Sequence, residues 1–260
     1  MPEGDTIAYA ARRMRPVLQG HVPESIRTPH PRHALDRWPE RLSGRVVTEI
    51  RTYGKHLFLL FEGELTIHSH LRMTGWWGVY PPPTARRWRR SPRRAWLILE
   101  RAGHQVVQFD GPVLELLTES RTRFDQRLAR LGPDVLAPEF ELGRFLARLR
   151  ADDHTRGIGD ALLDQRNLAG IGNIWKSEAC WEGGVDPWRA VADVSDEEAT
   201  AIISLVRPRM LASAQTGRMD GEPRVFRRNG RPCRRCGGQI LARGQGDDNR
   251  TTFWCPGCQR

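Results

Sequence analysis

The sequence predicts an α+β multidomain protein, with an N-terminal β-sandwich and leading helix, then a helical domain, then a short cysteine-bearing tail. Short segments rich in Val, Ile, Leu and aromatic residues recur between residues 45 and 117, which is typical of a sandwich or barrel. Helical periodicity dominates after the linker-like stretch at residues 131–138. Four of the five cysteines lie in the last 28 residues. We therefore divide the chain into domains at residues 1–130, 131–224 and 225–260.

The individual elements follow from local patterns. Residues 5–19 place apolar side chains on one helical face, with Asp5 or Thr6 available to cap the start. Residues 21–44 carry no regular pattern and are predicted to be irregular. Strands are predicted at residues 45–50, 56–61, 65–68, 76–80, 95–99, 105–109 and 113–117. Helices are predicted at residues 142–149, 158–163 and 173–181, and from the capping box of Ser195 and Glu198 to about Leu211.

The charge of the chain indicates a polyanionic partner. Lys and Arg total 41 against 31 acidic residues, which gives a formal net charge of +10 and a pI near 10.3. Neutralising phosphates releases condensed counterions, so this balance favours nucleic acid, although a basic protein of another class has the same composition. Residues 81–94 hold four prolines and six arginines and are predicted to form a mobile loop, either a DNA contact or a solvated charge run.

The sequence carries no sign of membrane insertion or export. No apolar run approaches the roughly 18 residues of a membrane helix. The N-terminal residues 1–5 lack the basic and apolar regions of a signal peptide. We therefore expect a cytoplasmic protein without a membrane partner.

The cysteine pairs form the most specific motif. Cys233-x2-Cys236 is followed after 18 residues by Cys255-x2-Cys258. Four thiolates at this spacing suit one tetrahedral Zn²⁺ better than disulfides. Because four thiolates leave no open coordination position, the predicted zinc is structural, and metal binding would supply the folding energy of a tail too short for its own core.

A second signal lies at the N-terminus. Once the initiator methionine is removed, Pro2 exposes a secondary amine, and α-amino groups titrate near pH ~8. A neutral fraction therefore exists at neutral pH and can attack an electrophilic carbon, with Glu3 placed to shuttle protons. The motif alone is weak evidence, because many proteins begin in this way.

A glycine-bearing turn, Gly170–Asn173, joins two predicted helices. Glycines let the backbone approach a phosphate closely, and the helix that follows can aim its free N–H groups at that phosphate. Asn173 would add a side-chain donor. An ordinary helix–turn–helix joint explains the same pattern.

Together these motifs resemble the formamidopyrimidine-DNA glycosylase / endonuclease VIII family over nearly the whole chain. The resemblance rests on residues 1–4, 54–55, 70–75, 131–134, 162–173 and 250–259. It implies a helix–two-turns–helix domain, a zinc-finger hairpin, damaged or abasic DNA as the partner, and a monomeric bacterial protein associated with the nucleoid through DNA.

The resemblance assigns catalytic roles to four residues. Pro2 resembles the nucleophile that attacks C1′ of the damaged nucleotide and forms a Schiff base. Glu3 resembles the acid/base that protonates the sugar ring oxygen and assists elimination. Lys55 resembles a lysine that binds phosphate near the lesion, and Arg250 resembles one half of a clamp on the phosphate of the flipped nucleotide.

Three further residues resemble the family's DNA-binding positions. Asn173 matches the other half of the phosphate clamp. Arg72 and Met73 stand where the family inserts side chains into the gap left by the flipped base, which fits the cost of an empty slot in stacked DNA. The resemblance implies Cys233, Cys236, Cys255 and Cys258 as ligands of one structural zinc.

The implied activity is bifunctional: excision of an oxidised base, then β,δ-elimination that cuts the strand, with no cofactor in the chemistry. Family members specific for oxidised purines carry an Arg and a Phe that residues 110–114 lack, and a longer loop than residues 212–222 provide. We therefore expect oxidised pyrimidines as substrates.

Three alternatives remain. One is an oxidised-purine glycosylase, and another is a binder of damaged or abasic DNA without turnover. The combination of Pro2, Glu3 and Lys55 favours an enzyme, because a binder needs no free secondary amine. A zinc-ribbon transcription factor leaves the β-rich half unexplained.

Overall fold

The computed structural model describes residues 2–82 and 88–260, so part of the basic loop predicted at residues 81–94 lies outside the described residues. The chain forms two compact units. The first comprises Pro2 and Thr6–Ala129, and the second comprises Glu3–Asp5 and Arg130–Arg260.

The first unit is rich in short strands. Its helices are α1 (Gly4–Leu18), which belongs to this unit from Thr6 onward, α2 (Trp38–Leu42), α3 (Glu119–Arg123) and α4 (Gln126–Ala129). Its strands are β1 (Ser25–Arg27), β2 (Val47–Tyr53), β3 (His56–Phe61), β4 (Leu65–His70), β5 (Trp76–Tyr80), β6 (Ala95–Arg101), β7 (His104–Phe109) and β8 (Val113–Thr118). All seven predicted strands are confirmed. The prediction that residues 21–44 are irregular is wrong for β1 and α2, which are too short to show a period.

Two antiparallel four-stranded sheets make up this unit, with strand orders β1-β6-β7-β5 and β2-β3-β4-β8. Inward side chains from both sheets and from α1 share one apolar core, which includes Met14, Leu57, Ile67, Leu97 and Val106. Burying each such side chain stabilises the fold by about 1.5–3 kcal/mol. The predicted β-sandwich with a leading helix is confirmed.

Sheet register brings two connections to the same end of the second sheet. Strand β3 begins at His56 and pairs with His70, the last residue of β4. The turn before β3 contains Lys55, and the loop after β4 spans Leu71–Gly75. These two segments are therefore neighbours in the first unit.

The second unit is helical and ends in a hairpin. Its helices are α5 (Leu142–Arg150), α6 (Ile158–Leu163), α7 (Asn173–Gly183) and α8 (Asp196–Thr216), and its strands are β9 (Leu241–Gln245) and β10 (Arg250–Trp254). The capping box of Ser195 and Glu198 is present, and α8 runs past the predicted end to Gly217, which closes it at φ 74°. Phe145, Ile171 and Trp175 belong to its buried core.

Within the part of the chain that the structure describes, no helix combines the length and the apolar character that spanning a bilayer demands.

Candidate active site and metal centre

The carboxylate of Glu3 is seated on the first turn of α7. Its side chain is buried, with 1% of the residue exposed. Oε2 accepts from the backbone N–H of Gly172 at 2.9 Å and of Trp175 at 3.2 Å, and Oε1 accepts from Ile174 at 2.8 Å. These are donors that a helix leaves without internal partners, and the helix dipole adds to their effect. The start of α7 therefore stabilises an ionised Glu3.

This contact bears on an interpretation that the sequence left open. The N–H groups at the start of α7 could serve a phosphate or belong to an ordinary helix–turn–helix joint, and those of Gly172, Ile174 and Trp175 hold a carboxylate of the chain itself. The same physical property, an anion site at a helix N-terminus, is used for a different anion.

Residue 172 must be a glycine because a side chain there would overlap with Glu3, and not because its backbone conformation excludes other residues. Its φ of −129° is open to any residue, but a Cβ there would lie 2.3 Å from Cδ of Glu3. No rotamer adjustment short of moving Glu3 relieves such an overlap. The glycine therefore permits the close approach of Glu3 to α7.

Gln165 shapes the turn that carries this seat. Its Nε2 donates to the carbonyls of Leu163 at 2.8 Å and Ile171 at 3.0 Å, and its Oε1 accepts from the N–H of Gly170 at 3.0 Å. The carbonyl of Gly170 in turn accepts from the N–H of Gly4 at 2.8 Å. One amide side chain thus organises the turn to which the backbone after Glu3 is bonded.

The two residues of the predicted phosphate clamp both lie in the second unit. Asn173, buried at the start of α7, donates from Nδ2 to the carbonyl of Thr251 at 2.8 Å, which holds it against the hairpin residue next to Arg250. Arg250 is partly exposed and donates to Asp248 from Nε at 3.1 Å and from a terminal nitrogen at 2.9 Å. Asn173 and Arg250 are therefore brought to neighbouring positions.

A buried lysine ties α7 to the same hairpin. Lys176 is fully buried, and its Nζ donates to Thr252 Oγ1 and, at 3.4 Å, to Gln245 Oε1. Burial lowers the pKa of Lys176 to about 8, despite the opposing charge of Glu3. The sequence marked Lys176 only as one of two lysines in an arginine-rich chain.

The lowered pKa of Lys176 predicts a pH-dependent stability. Between about pH 8 and pH 10.5 the unfolded chain holds a proton on Lys176 that the folded protein has released, so Lys176 makes the free energy of unfolding rise with pH. Burial raises the pKa of Cys180 to about 12, which opposes the rise above about pH 9. Urea denaturation between about pH 8 and pH 9 should therefore show the rise in the native chain and in Lys55→Met, a lysine-loss control, but not in Lys176→Met. A rise of equal size in Lys176→Met would contradict the assignment.

Glu178 anchors the segment that leads into the cysteine tail. It is fully buried and accepts backbone N–H bonds from Arg224, Val225 and Phe226 at 2.8–3.0 Å. Arg209 also donates to it, at 3.2 Å. Removing one partner of such a buried carboxylate is costly, so Glu178 fixes where the tail starts relative to α7.

The four tail cysteines converge. Their Sγ atoms all lie within 4.8 Å of one another, with Cys233 and Cys258 3.7 Å apart and Cys236 and Cys255 3.5 Å apart. Tetrahedral zinc–thiolate bonds of about 2.3 Å would separate the sulfurs by about 3.8 Å. The cluster could therefore hold one metal ion.

Neighbouring donors support the thiolates. Trp181 of α7 donates from Nε1 to Cys233 Sγ at 3.3 Å. The N–H of Arg235 points at the same sulfur at 3.4 Å, and the N–H of Gly238 at Cys236 Sγ at 3.4 Å. Such outer contacts orient metal ligands. They also connect the cluster to α7.

Metal removal should unfold the tail. With chelator, or in Cys236→Ser, we expect loss of bound zinc, a lower Tm and weaker binding of abasic DNA, because a tail this short would take its folding energy from a bound metal. Elemental analysis and thermal denaturation check this. The control is Cys180→Ala, which removes the fifth, fully buried thiol outside the cluster and should retain the metal. Unchanged Tm and DNA binding in a metal-free sample would contradict it.

The remaining predicted residues lie in the first unit. Lys55 is half-buried in the turn before β3, where Gly54 has φ 56°. Arg72 and Met73 are exposed between Leu71 and Gly75, whose carbonyl and N–H close the loop at 2.8 Å. Arg72 has a φ of 48°, which is rare for a residue with a Cβ and is typical of functional loops.

Sequence comparison places these features in a family. The N-terminal domain model of formamidopyrimidine-DNA glycosylase matches residues 1–115, and the helix–two-turns–helix domain model of the same enzyme matches residues 131–219. The chain therefore belongs to the formamidopyrimidine-DNA glycosylase family.

Within that family its relatives include endonuclease 8 proteins. It is 42% identical to the "Probable endonuclease 8 2" of Streptomyces coelicolor, over 100% of this chain and 94% of that protein. It is 37% identical to the "DNA-(apurinic or apyrimidinic site) lyase Nei2" of Mycolicibacterium smegmatis, over 100% and 99% of the two chains. The fold matches that of the Lactococcus lactis protein Fpg, crystallised with abasic-site DNA, with a TM-score of 0.83, 23% identity and 100% coverage of both chains.

Proposed function

We propose that the chain is a bifunctional DNA glycosylase and abasic-site lyase of base excision repair, with Pro2 as nucleophile and Glu3 as proton-transfer group. The observation that carries the proposal is the seat of Glu3, a buried carboxylate held by three backbone N–H groups directly after Pro2, which becomes the N-terminal residue once Met1 is removed. A carboxylate fixed in this way is preorganised for chemistry at the neighbouring amine. The names of the relatives support the same reaction class.

The reaction balances without a cofactor. The lone pair of the Pro2 nitrogen attacks C1′, the glycosidic bond breaks, and the base leaves with the bonding electrons and takes up a proton from water. The ionised Glu3 accepts the proton that the Pro2 nitrogen loses and passes it to the ring oxygen, the bond between C1′ and that oxygen breaks, and an iminium ion forms between Pro2 and C1′. Loss of a C2′ proton expels the 3′ phosphate, a second elimination expels the 5′ phosphate, and water releases the amine.

The remaining residues are proposed to hold DNA. Asn173 and Arg250 bind the phosphate of the flipped nucleotide, and Lys55 binds a phosphate near the lesion. Arg72 and Met73 fill the gap in the stack, which fits their exposure on a closed loop. The formal net charge of +10 supports a DNA substrate.

A structural Zn²⁺ held by Cys233, Cys236, Cys255 and Cys258 completes the proposal, within a tail domain at residues 225–260 that follows domains at 1–130 and 131–224. Bacterial relatives support a cytoplasmic location, where chromosomal DNA lies. The sulfur geometry supports zinc, and the closed donor set leaves it no catalytic position.

A lesion panel tests the function. Duplexes that carry one oxidised pyrimidine, one 8-oxoguanine, one formamidopyrimidine or one abasic site are incubated with the protein, and strand cleavage and borohydride-trapped adduct are measured. We expect cleavage of the abasic and oxidised-pyrimidine duplexes, with faster excision of the pyrimidine than of either purine. Faster purine excision would establish the oxidised-purine alternative, and tight abasic binding with no adduct would establish the non-catalytic one.

A further inference from the structure

Three histidines form a line across β3 and β4 in the first unit. His68 Nε2 lies 2.8 Å from His56 Nδ1, and His68 Nδ1 lies 3.3 Å from Glu115 Oε2. His56 pairs with His70 across the two strands, and their rings meet edge to face with centroids 4.7 Å apart. The line therefore begins at Glu115 and ends beside the Lys55 turn and the loop after His70.

Glu115 is a fixed anion at the start of the line. It lies on β8 opposite His68, and Arg127 donates to its Oε2 at 3.0 Å while also pairing with Asp125 at 2.6 Å. Burial alone would raise the pKa of Glu115, but hydrogen bonds from Arg127 and His68 outweigh it and lower the pKa below its usual value. A carboxylate of this kind only accepts hydrogen bonds.

Glu115 determines which ring nitrogens of His68 and His56 carry a proton. Facing Glu115, His68 must carry its proton on Nδ1, so its Nε2 accepts and His56 must donate from Nδ1. His70 Nδ1 accepts the backbone N–H of Arg72 at 3.1 Å, so a neutral His70 carries its proton on Nε2. Every ring in the line has one assigned tautomer.

The surroundings keep the rings neutral. Burial, and then the neighbouring histidines and Arg127, lower the pKa of His56 to about 2. Burial, and then Arg72 and Lys55, lower the pKa of His70 to about 4, and burial also lowers the pKa of His68. A neutral ring keeps its assigned donor and acceptor, which an imidazolium would lose.

We propose that His56, His68 and His70 are positioning residues, which hold the Lys55 turn and the Arg72–Met73 loop in one fixed register for DNA. The inference rests on the proposed function, because that function assigns both segments to DNA. His56 follows Lys55 directly, and His70 holds the N–H of Arg72 in its left-handed conformation. A disturbance at His68 should therefore reach both DNA-contacting segments without touching DNA.

Nitrogen NMR of histidine-labelled native protein tests the line itself. We expect the His56 and His70 rings to be neutral down to about pH 5, and the neutral rings to carry Nδ1–H on His56 and His68 and Nε2–H on His70. Substitution of each histidine in turn assigns the signals. An Nε2–H tautomer at His68, or titration of His56 near the ordinary histidine pKa, would overturn the proposal whether or not the protein is an enzyme.

A mutant cycle tests positioning. His68→Phe keeps the stacking on Phe58, whose ring centroid lies 5.0 Å away, but removes both hydrogen bonds. We expect about tenfold weaker abasic-DNA binding. The slope of the logarithm of the binding constant against the logarithm of the salt concentration should also fall in magnitude by about 0.9, as if one phosphate contact were lost. Lys55→Met should lower the slope equally, and the double variant should lower it no further. His104→Gln, at the start of β7 and away from the three histidines, should match the native protein.

Each outcome of the cycle is decisive. An additive fall in the double variant, or an unchanged slope in His68→Phe, would show that His68 does not act through Lys55. Glu115→Gln provides a milder variant if His68→Phe fails to fold, and it should shift the slope in the same direction. Absence of any trapped adduct in the native protein would contradict the proposed function and not the tautomer assignment.

Discussion

A protein whose N-terminal amine is blocked by a short N-terminal extension should form no borohydride-trapped adduct with an abasic duplex. An amide nitrogen has no available lone pair, so adduct formation should fall by at least about a thousandfold, as when a nucleophile is removed. The same extension placed at the C-terminus should leave the adduct unchanged. Denaturing electrophoresis of the protein–DNA product measures both.

An adduct that persisted in the N-terminally extended protein would require another amine. The extension brings its own α-amine, and the chain has two lysines, of which Lys176 is fully buried, so the new α-amine and Lys55 would be the candidates. Peptide mapping of the trapped product would distinguish them. An adduct on Lys55 would show that Pro2 as nucleophile is wrong.

Gly172→Ala should have the second-largest effect. The added methyl group would lie 2.3 Å from Cδ of Glu3, so the carboxylate must leave the three N–H groups that hold it. Displacement of a catalytic group by about 1 Å costs on the order of a hundredfold in rate. Single-turnover cleavage of an abasic duplex should fall by about that factor, and the free energy of unfolding should fall as well.

Two variants separate this effect from a general intolerance of substitution. Gly143→Ala adds the same methyl group in α5, where nothing lies within 4 Å, and should leave cleavage unchanged. Glu3→Ala in the Gly172→Ala background should cost little further activity, because the carboxylate is already displaced. Full activity of Gly172→Ala would show that the seat of Glu3 is not needed for cleavage.

The sequence predicted the element order well, because periodicity and turn residues are local signals. It located the seven strands and the capping box of α8, and the comparisons confirm the family that its motifs resemble. It missed β1, a three-residue strand whose pairing with β6 is decided by distant residues. Strand β1 was missed because it is too short to show a period, and not because of its amino-acid composition.

The site was harder to predict, because partners far apart in sequence define it. The sequence predicted Pro2 and Glu3 as catalytic residues. Nothing in it showed that the N–H groups of α7 bind the Glu3 carboxylate and not a phosphate. The burial of Lys176 and the line of histidines also depend on neighbours across strands or helices. A charged or polar residue inside an apolar stretch was the available signal.

Helix α7 acts as a rigid strut about 16 Å long between the cysteine cluster at one end and the Glu3 carboxylate at the other. Glu3 contacts its first turn, Lys176 and Glu178 bind its middle to the tail, and Trp181 contacts the Cys233 sulfur. Damage to the cysteine cluster, by oxidation for example, would therefore be transmitted along the strut as a loss of alignment at Glu3. Oxidation of the tail cysteines would then also lower the rate of catalysis.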